Sequence, residues 1–277
     1  MTIDKERIES YKAKGVKSLY VTDNDYKQYT RLNMQLASSI STDSKYKKVG
    51  SKIIGNVNVM LSNLAFKNEI DEAIYNDTKD LCAKTFELIS DNFSLISILE
   101  SLRKTSEAEL FHSTAVSFVS SLIARHMSWT YSANIHKLVL GSMLHDIGKR
   151  SLPAQLFAKA PIEMSNSELK EYEKHTTIGR DILLDITNMS SDIVQAVYEH
   201  HETFNGTGFP NAIKSQQIHP FARAIRIADD FCNYIYPKDN KQARSVDQAF
   251  EIMTTVKSVE YDPALLEAFM KAFNKTI

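Results

Sequence analysis

Apolar residues recur along this chain at helical rather than strand spacing over nearly its whole length. Segments 26–40, 49–66, 71–90 and 92–102 place them at i, i+3, i+4 and i+7, which predicts helices there with a break at Asp91-Asn92. Residues 17–23 (KSLYVTD) are the exception, because β-branched and aromatic residues cluster before a polar turn and read as a short strand. Punctuation is cleaner further on. Ser165 with Glu168 carries the signal of a capping box opening a helix through Leu184, and Ser245 with Gln248 opens another to about Lys257. Pro220 opens one more. Asp262-Pro263 sets a capping acid before a proline at the first position of a last helix, which runs to about Phe273. With glycine and proline sparse, long helices joined by short connections are expected, so the predicted fold is an all-α bundle with a small N-terminal region containing the strand.

The same pattern puts polar groups where water is excluded. In the segment ending LVLGSMLHDIGK, Ile135, Leu138, Val139, Ser142, Met143 and Asp146 share one face, so Asp146 points inward with His145 adjacent. His112 lies on a face with Val116, Val119 and Ile123, and His175 on one with Tyr172, Gly179 and Ile182. His200 and His201 follow Ile193 and Val197, while Asp229 keeps company with Phe221, Ile225, Ala228 and Cys232. A buried imidazole or carboxylate is costly unless paired, hydrogen-bonded or metal-bound. One such residue is ordinarily a core histidine bonded to a carbonyl. Five histidines and two aspartates on separate helices are hard to satisfy in pairs, whereas a metal centre satisfies them together. A His/Asp set without cysteine favours iron or manganese, with zinc the remaining candidate. The ligand number exceeds one ion's needs, so two divalent ions about 3.5 to 4 Å apart are expected, an arrangement that acts on phosphate esters.

Between His201 and Asp229 runs ETFNGTGFPNAIKSQQIHP, in which Asn205-Gly206, Thr207-Gly208 and Phe209-Pro210 make a tight irregular loop. It is either a plain interhelical connection or, following two ligands, a wall of the site. Lys149 is a candidate phosphate contact as well as ordinary compensation of a helix C-terminus. Arg223 and Arg226 are open to the same two readings.

Composition narrows the function further. The 277 residues are 43% hydrophobic and 24% charged, enough for one or two packed domains. Formal net charge is −1 and no Lys/Arg tract appears, which argues against long nucleic acid and anionic membrane surfaces as partners. The first twenty residues contain no apolar run like a signal peptide or a membrane span, so a cytoplasmic protein is expected. Cys82 and Cys232 are too few for a disulfide framework.

The motifs HS at 112–113, HDIGK at 145–149, HTTIG at 175–179, HHETFNGTGFP at 200–210 and RIAD at 226–229 occur in an order that resembles the HD-GYP family from about Leu99 onward. The resemblance implies an HD-superfamily helical bundle over 96–277, with 1–95 a regulatory or packing region. It implies hydrolysis of cyclic di-GMP to linear pGpG, and onward to GMP, by a metal-bridging hydroxide. Carried over by motif, His112, His145, Asp146 and Asp229 would hold one metal, and His175, His200 and His201 the second, with Asp146 bridging. Asp146 and Lys149 would be catalytic; Lys149, Gly208, Phe209, Pro210 and Arg223 would contact substrate. Departures from the pattern are Phe209 in place of tyrosine, Ala115 in place of an arginine, Ala108 where some members have a third-metal glutamate, and Cys232 where aspartate is common. They open a rival reading, a cyclic di-GMP receptor with slow or no turnover that signals through a protein partner or a homodimer. A third reading keeps the chemistry and changes the substrate to another cyclic dinucleotide or a nucleotide monophosphate.

Overall fold

The computed structural model describes residues 108–127, 129, 132–159, 161–186, 188–237 and 242–275, with 9–11, 13–15, 22, 100 and 103 nearer the N-terminus. The chain forms two compact units, Met1–Ile40 and Ser41–Ile277, and every helix named below lies in the second. The strand expected at 17–23, the helices expected before residue 102 and the division expected near residue 95 fall, but for single positions, outside the described residues.

Among the described residues the fold is all-α. The helices are α1 (Ala108–His126), α2 (Ser132–Leu144), α3 (Asn166–Leu184), α4 (Ser191–Glu199), α5 (Pro220–Ile235), α6 (Val246–Thr254) and α7 (Pro263–Ala272). The predicted starts hold. Ser165 and Glu168 close a reciprocal capping box on α3, and Ser245 and Gln248 do the same on α6. Asp262 accepts from the backbone N–H groups of Ala264 and Leu265, capping α7, and Pro220 stands at the first position of α5. α6 stops at Thr254, three residues before the expected end, and a 3₁₀ turn follows at Ser258–Glu260. No helix among the described residues is long and apolar enough to cross a membrane.

Among the described residues, two apolar clusters hold these helices together. The larger joins α1, α5, α6 and α7 through Val116, Val119, Ile225, Ala228, Ala249 and Leu265. Its far side is a nest of Phe231, Phe250, Phe269 and Phe273, with ring centroids 5.0 to 5.5 Å apart, in the range where aromatic pairs attract beyond simple burial. Ala115 is fully buried in this cluster. The smaller joins the ends of α2, α3 and α4 through Leu140, Leu144, Leu183, Ile193 and Val197. α1 and α5 carry His112 and Asp229, and the helices of the smaller cluster carry or lead into the other candidate ligands.

One prediction about local structure is corrected. The helical face read for LVLGSMLHDIGK included Asp146, but α2 ends at Leu144, and a 3₁₀ turn occupies Ile147–Ser151. The cause is close packing against α3. A Cβ on Gly148 would lie 2.0 Å from the His175 carbonyl oxygen and 2.6 Å from the Gly179 nitrogen, so backbone meets backbone and only glycine fits. That contact sets Asp146 beside His175. Gly148→Ala should therefore lower stability by about 2 kcal/mol or more, as overpacking against rigid backbone does, measured by urea denaturation.

Candidate metal centre

Five helices bring the seven predicted ligands to one buried place. His112 comes from α1, His145 and Asp146 from the turn after α2, His175 from α3, His200 and His201 from the end of α4, and Asp229 from α5. All seven are buried. His112, His145 and Asp146 offer ligand atoms within 4.8 Å of one another, and so do Asp146, His175, His200 and His201. Asp146 belongs to both groups. Its Oδ2 lies 4.0 Å from His112 Nε2 and 3.4 Å from His145 Nε2, while its Oδ1 lies 3.8 Å from both His175 Nε2 and His200 Nε2. Asp229 joins the first group, with Oδ1 2.9 Å from His112 Nε2 and 3.8 Å from His145 Nε2.

The rings are aimed by local backbone. His145, His175 and His200 donate Nδ1–H to the carbonyls of Ser142, Tyr172 and Val197, at 2.6, 2.6 and 2.7 Å. A carbonyl only accepts, so each ring carries its proton on Nδ1 and turns the Nε2 lone pair toward Asp146. His201 is held differently. Its Nδ1 faces Arg226 Nη1 at 3.3 Å, and its ring stacks on Phe209 at 4.6 Å between centroids. Asn233, one turn after Asp229, donates to Asp229 Oδ1 at 2.9 Å.

The residues fit divalent cations. His145 Nε2 and His201 Nε2 are buried and make no hydrogen bond, which is expensive for a polar atom unless an ion takes it up. Burial, reinforced by neighbouring histidines, holds His200 and His201 well below the ordinary imidazole range, and burial with the nearby Lys149 ammonium brings His175 down to about 4. These three are therefore neutral ligands at neutral pH. For His145 burial also acts downward, but Asp146 and then Asp229 outweigh it and raise the group. Asp229 would be raised by burial, yet the histidines, His112 first, hold it well below the carboxylate range.

Of the expected substrate contacts, Lys149 is at the site: its Nζ donates to Asp146 Oδ2 at 2.6 Å. Burial would lower this ammonium, but Asp146, then Tyr172 and Asp229, hold it above its ordinary value. Phe209 forms a wall, stacked on His201 and edge-on to His175 at 6.0 Å. Gly208 lets the loop press down, since a Cβ there would lie 2.4 Å from the His201 carbonyl oxygen, and Pro210 follows in a cis peptide. Arg223 is engaged elsewhere, because its guanidinium pairs with Asp262 and donates to Gln216, tying α5 to the start of α7. Arg226, open in the sequence to a phosphate contact, faces His201 and pairs with Asp230 and Glu260, while Tyr172 and Asn233 stand at the site with no role in the sequence prediction. Their signal was there only as helical spacing from His175 and Asp229, which core residues share.

An all-α unit in which one carboxylate sits between two histidine groups belongs to the class of helical proteins with a mixed His/Asp metal site. The chain is a member of the HD domain family, whose model matches residues 94–265. It is 28% identical over 184 residues to a cyclic di-GMP phosphodiesterase of Thermotoga maritima, spanning 65% of this chain and 49% of that protein. A cyclic di-GMP phosphodiesterase of Pseudomonas aeruginosa is 27% identical over 179 residues, 65% of this chain and 42% of its own. A 3'3'-cGAMP-specific phosphodiesterase of Vibrio cholerae is 28% identical over 163 residues, 59% of this chain and 35% of its own. The chain thus spans less than half the length of these relatives. An HDG"Y"P protein from Bdellovibrio bacteriovorus shares the fold, with a TM-score of 0.71 and 20% identity over 92% of this chain and 81% of that one.

The histidine pKa values set an acid limit once metal is stripped by a chelator. Unfolded histidines take a proton near 6.5, whereas folded His175 resists until about 4 and burial lowers His200 and His201 as well. Unfolding then takes up protons, and the three lowered histidines outnumber the one raised, His145. Stability should fall as pH drops from 6.5 toward 4, read as a declining urea midpoint in a pH series with chelator present.

Proposed function

We propose that residues 96–277 form a metal-dependent phosphodiesterase domain that hydrolyses cyclic di-GMP to linear pGpG and onward to GMP. The observation that carries this reading is Asp146, one carboxylate whose two oxygens face separate histidine groups, with the Lys149 ammonium beside it. His112, His145, Asp146 and Asp229 would hold one ion, and His175, His200 and His201 with Asp146 the other. The donor set suits iron first, then manganese and zinc. Two such cations would supply the Lewis acidity that activates water and stabilises charge on phosphoryl oxygens. Lys149 supplies a fixed positive charge for a phosphate oxygen, and a cation already in place stabilises developing charge without reorganisation. Phe209, with Gly208 and Pro210, closes one side of the site against the substrate. The names of the relatives support a cyclic dinucleotide as substrate, and their two specificities make 3'3'-cGAMP the competitor to test.

One feature favours a second reading, a receptor that binds cyclic di-GMP with little turnover. The wall on His201 is an apolar Phe209 ring, which brings no hydrogen-bonding group to the substrate.

Protein reconstituted separately with iron and manganese under reducing conditions should convert cyclic di-GMP to pGpG and GMP, followed by chromatography, and prefer it to 3'3'-cGAMP. Asp146→Ala should lower the rate to less than about one hundredth and reduce bound metal, counted by mass spectrometry. Binding without product in either metal would establish the receptor instead.

A further inference from the structure

Tyr172 is a polar group at the centre that the proposed chemistry leaves without a role. It sits on α3 one turn before His175, whose Nδ1–H it accepts on its backbone oxygen at 2.6 Å, so its position is tied to that of a ligand. Its ring meets the His175 ring edge-on at 4.9 Å and lies 6.2 Å from His201 and 6.4 Å from Phe209. Lys149 Nζ is 5.4 Å from the ring centroid, while the same ammonium is bonded to Asp146. Phenol, ammonium and carboxylate thus form a row that runs from a half-buried residue to the carboxylate between the two histidine groups.

The donor count decides what this hydroxyl can do. A phenol has one proton to donate and lone pairs to accept with. The neighbouring ammonium has protons only, so it can occupy the lone pairs of Tyr172 but cannot accept its O–H. An ordinary phenol loses its proton only at about pH 10, so that proton is in place at neutral pH. An acceptor must come from outside the row, and beside Lys149 the acceptor that suits both groups is an anionic phosphoryl oxygen. Phe209 cannot substitute for Tyr172 here because its ring has no polar atom.

We propose that Tyr172 is a substrate-binding residue, its hydroxyl donating a hydrogen bond to a phosphoryl oxygen of the cyclic dinucleotide next to Lys149. The inference rests on the phosphodiesterase reading and deepens it by adding a contact from α3 to the phosphate.

The test uses the full chain loaded with manganese and a hydrolysis-resistant phosphorothioate analogue of cyclic di-GMP, with affinity measured by calorimetry and bound metal counted in every sample. Tyr172→Phe should weaken binding by about tenfold with metal content unchanged, and by a similar factor again in a Lys149→Met background. Affinity within about twofold of wild type would overturn the proposal. So would a loss of bound metal in Tyr172→Phe, which would make the residue a prop for His175. A loss that disappears in the Lys149→Met background would overturn it too, because the tyrosine would then act only through the lysine. Wild-type protein that neither binds the analogue nor hydrolyses cyclic di-GMP would remove the phosphodiesterase reading itself, an outcome distinct from a variant that binds as wild type does.

Discussion

The carboxylate of Asp146 is the constraint around which the rest of this fold is arranged. It is buried, its two oxygens face histidines from different helices, and an ammonium lies 2.6 Å away. Isolated charge in such a place would cost several kcal/mol, so the position is tenable only while its neighbours stay within bonding distance. His112, His175 and His200 come from three different helices, and His145 and Lys149 from the turn that carries Asp146 itself. A shift of one helix by an ångström would therefore leave a carboxylate oxygen or a ring nitrogen without company, and the packing of all five helices is tied to the centre they build.

That precision is reached through short-range devices. Three histidines are aimed by carbonyls three residues back in their own segments, so the ring direction follows from the local backbone and needs no distant partner. Gly148 then brings the turn carrying Asp146 into backbone contact with α3 at His175 and Gly179. Apolar packing supplies the remaining rigidity: α1 and α5 meet in the larger cluster and hold His112 against Asp229, while α2, α3 and α4 meet in the smaller one. Ala115 lies within the larger cluster, so the departure at that position is absorbed by the core of this chain.

What could be read from the sequence was what local chemistry decides. The starts of α3, α5, α6 and α7 were legible because Ser165, Pro220, Ser245 and Asp262 act on their own first turn. The histidines and aspartates were legible because a polar residue on an apolar stripe is conspicuous, and all seven converge. What escaped depends on residues far apart in the chain. The end of α2 at Leu144 is set by α3, and Arg223 is claimed by Asp262, 39 residues away. Tyr172 was visible only as one more aromatic on the face of His175, since helical periodicity cannot separate a core ring from a ring at the mouth of a site.

His201 shows how the loop after α4 enters the same construction. Unlike His145, His175 and His200, it has a cation rather than a carbonyl at Nδ1, so its own backbone does not aim it. Its orientation comes from the stacked ring of Phe209 and from Arg226, which is itself paired with Asp230 and Glu260. The loop is fastened by Gly208 against the His201 carbonyl, by the buried Glu202 accepting from the Asn211 amide, and by the Phe204 amide donating to the Glu260 carbonyl. Stacking on an imidazole needs an aromatic face and no hydroxyl. Phenylalanine at 209 therefore keeps the support of His201 while bringing no hydrogen-bonding group to the site, which separates the loop's structural role from any chemical one. With that separation, the contact proposed for the Tyr172 hydroxyl would leave unchanged how the seven histidines and aspartates are held.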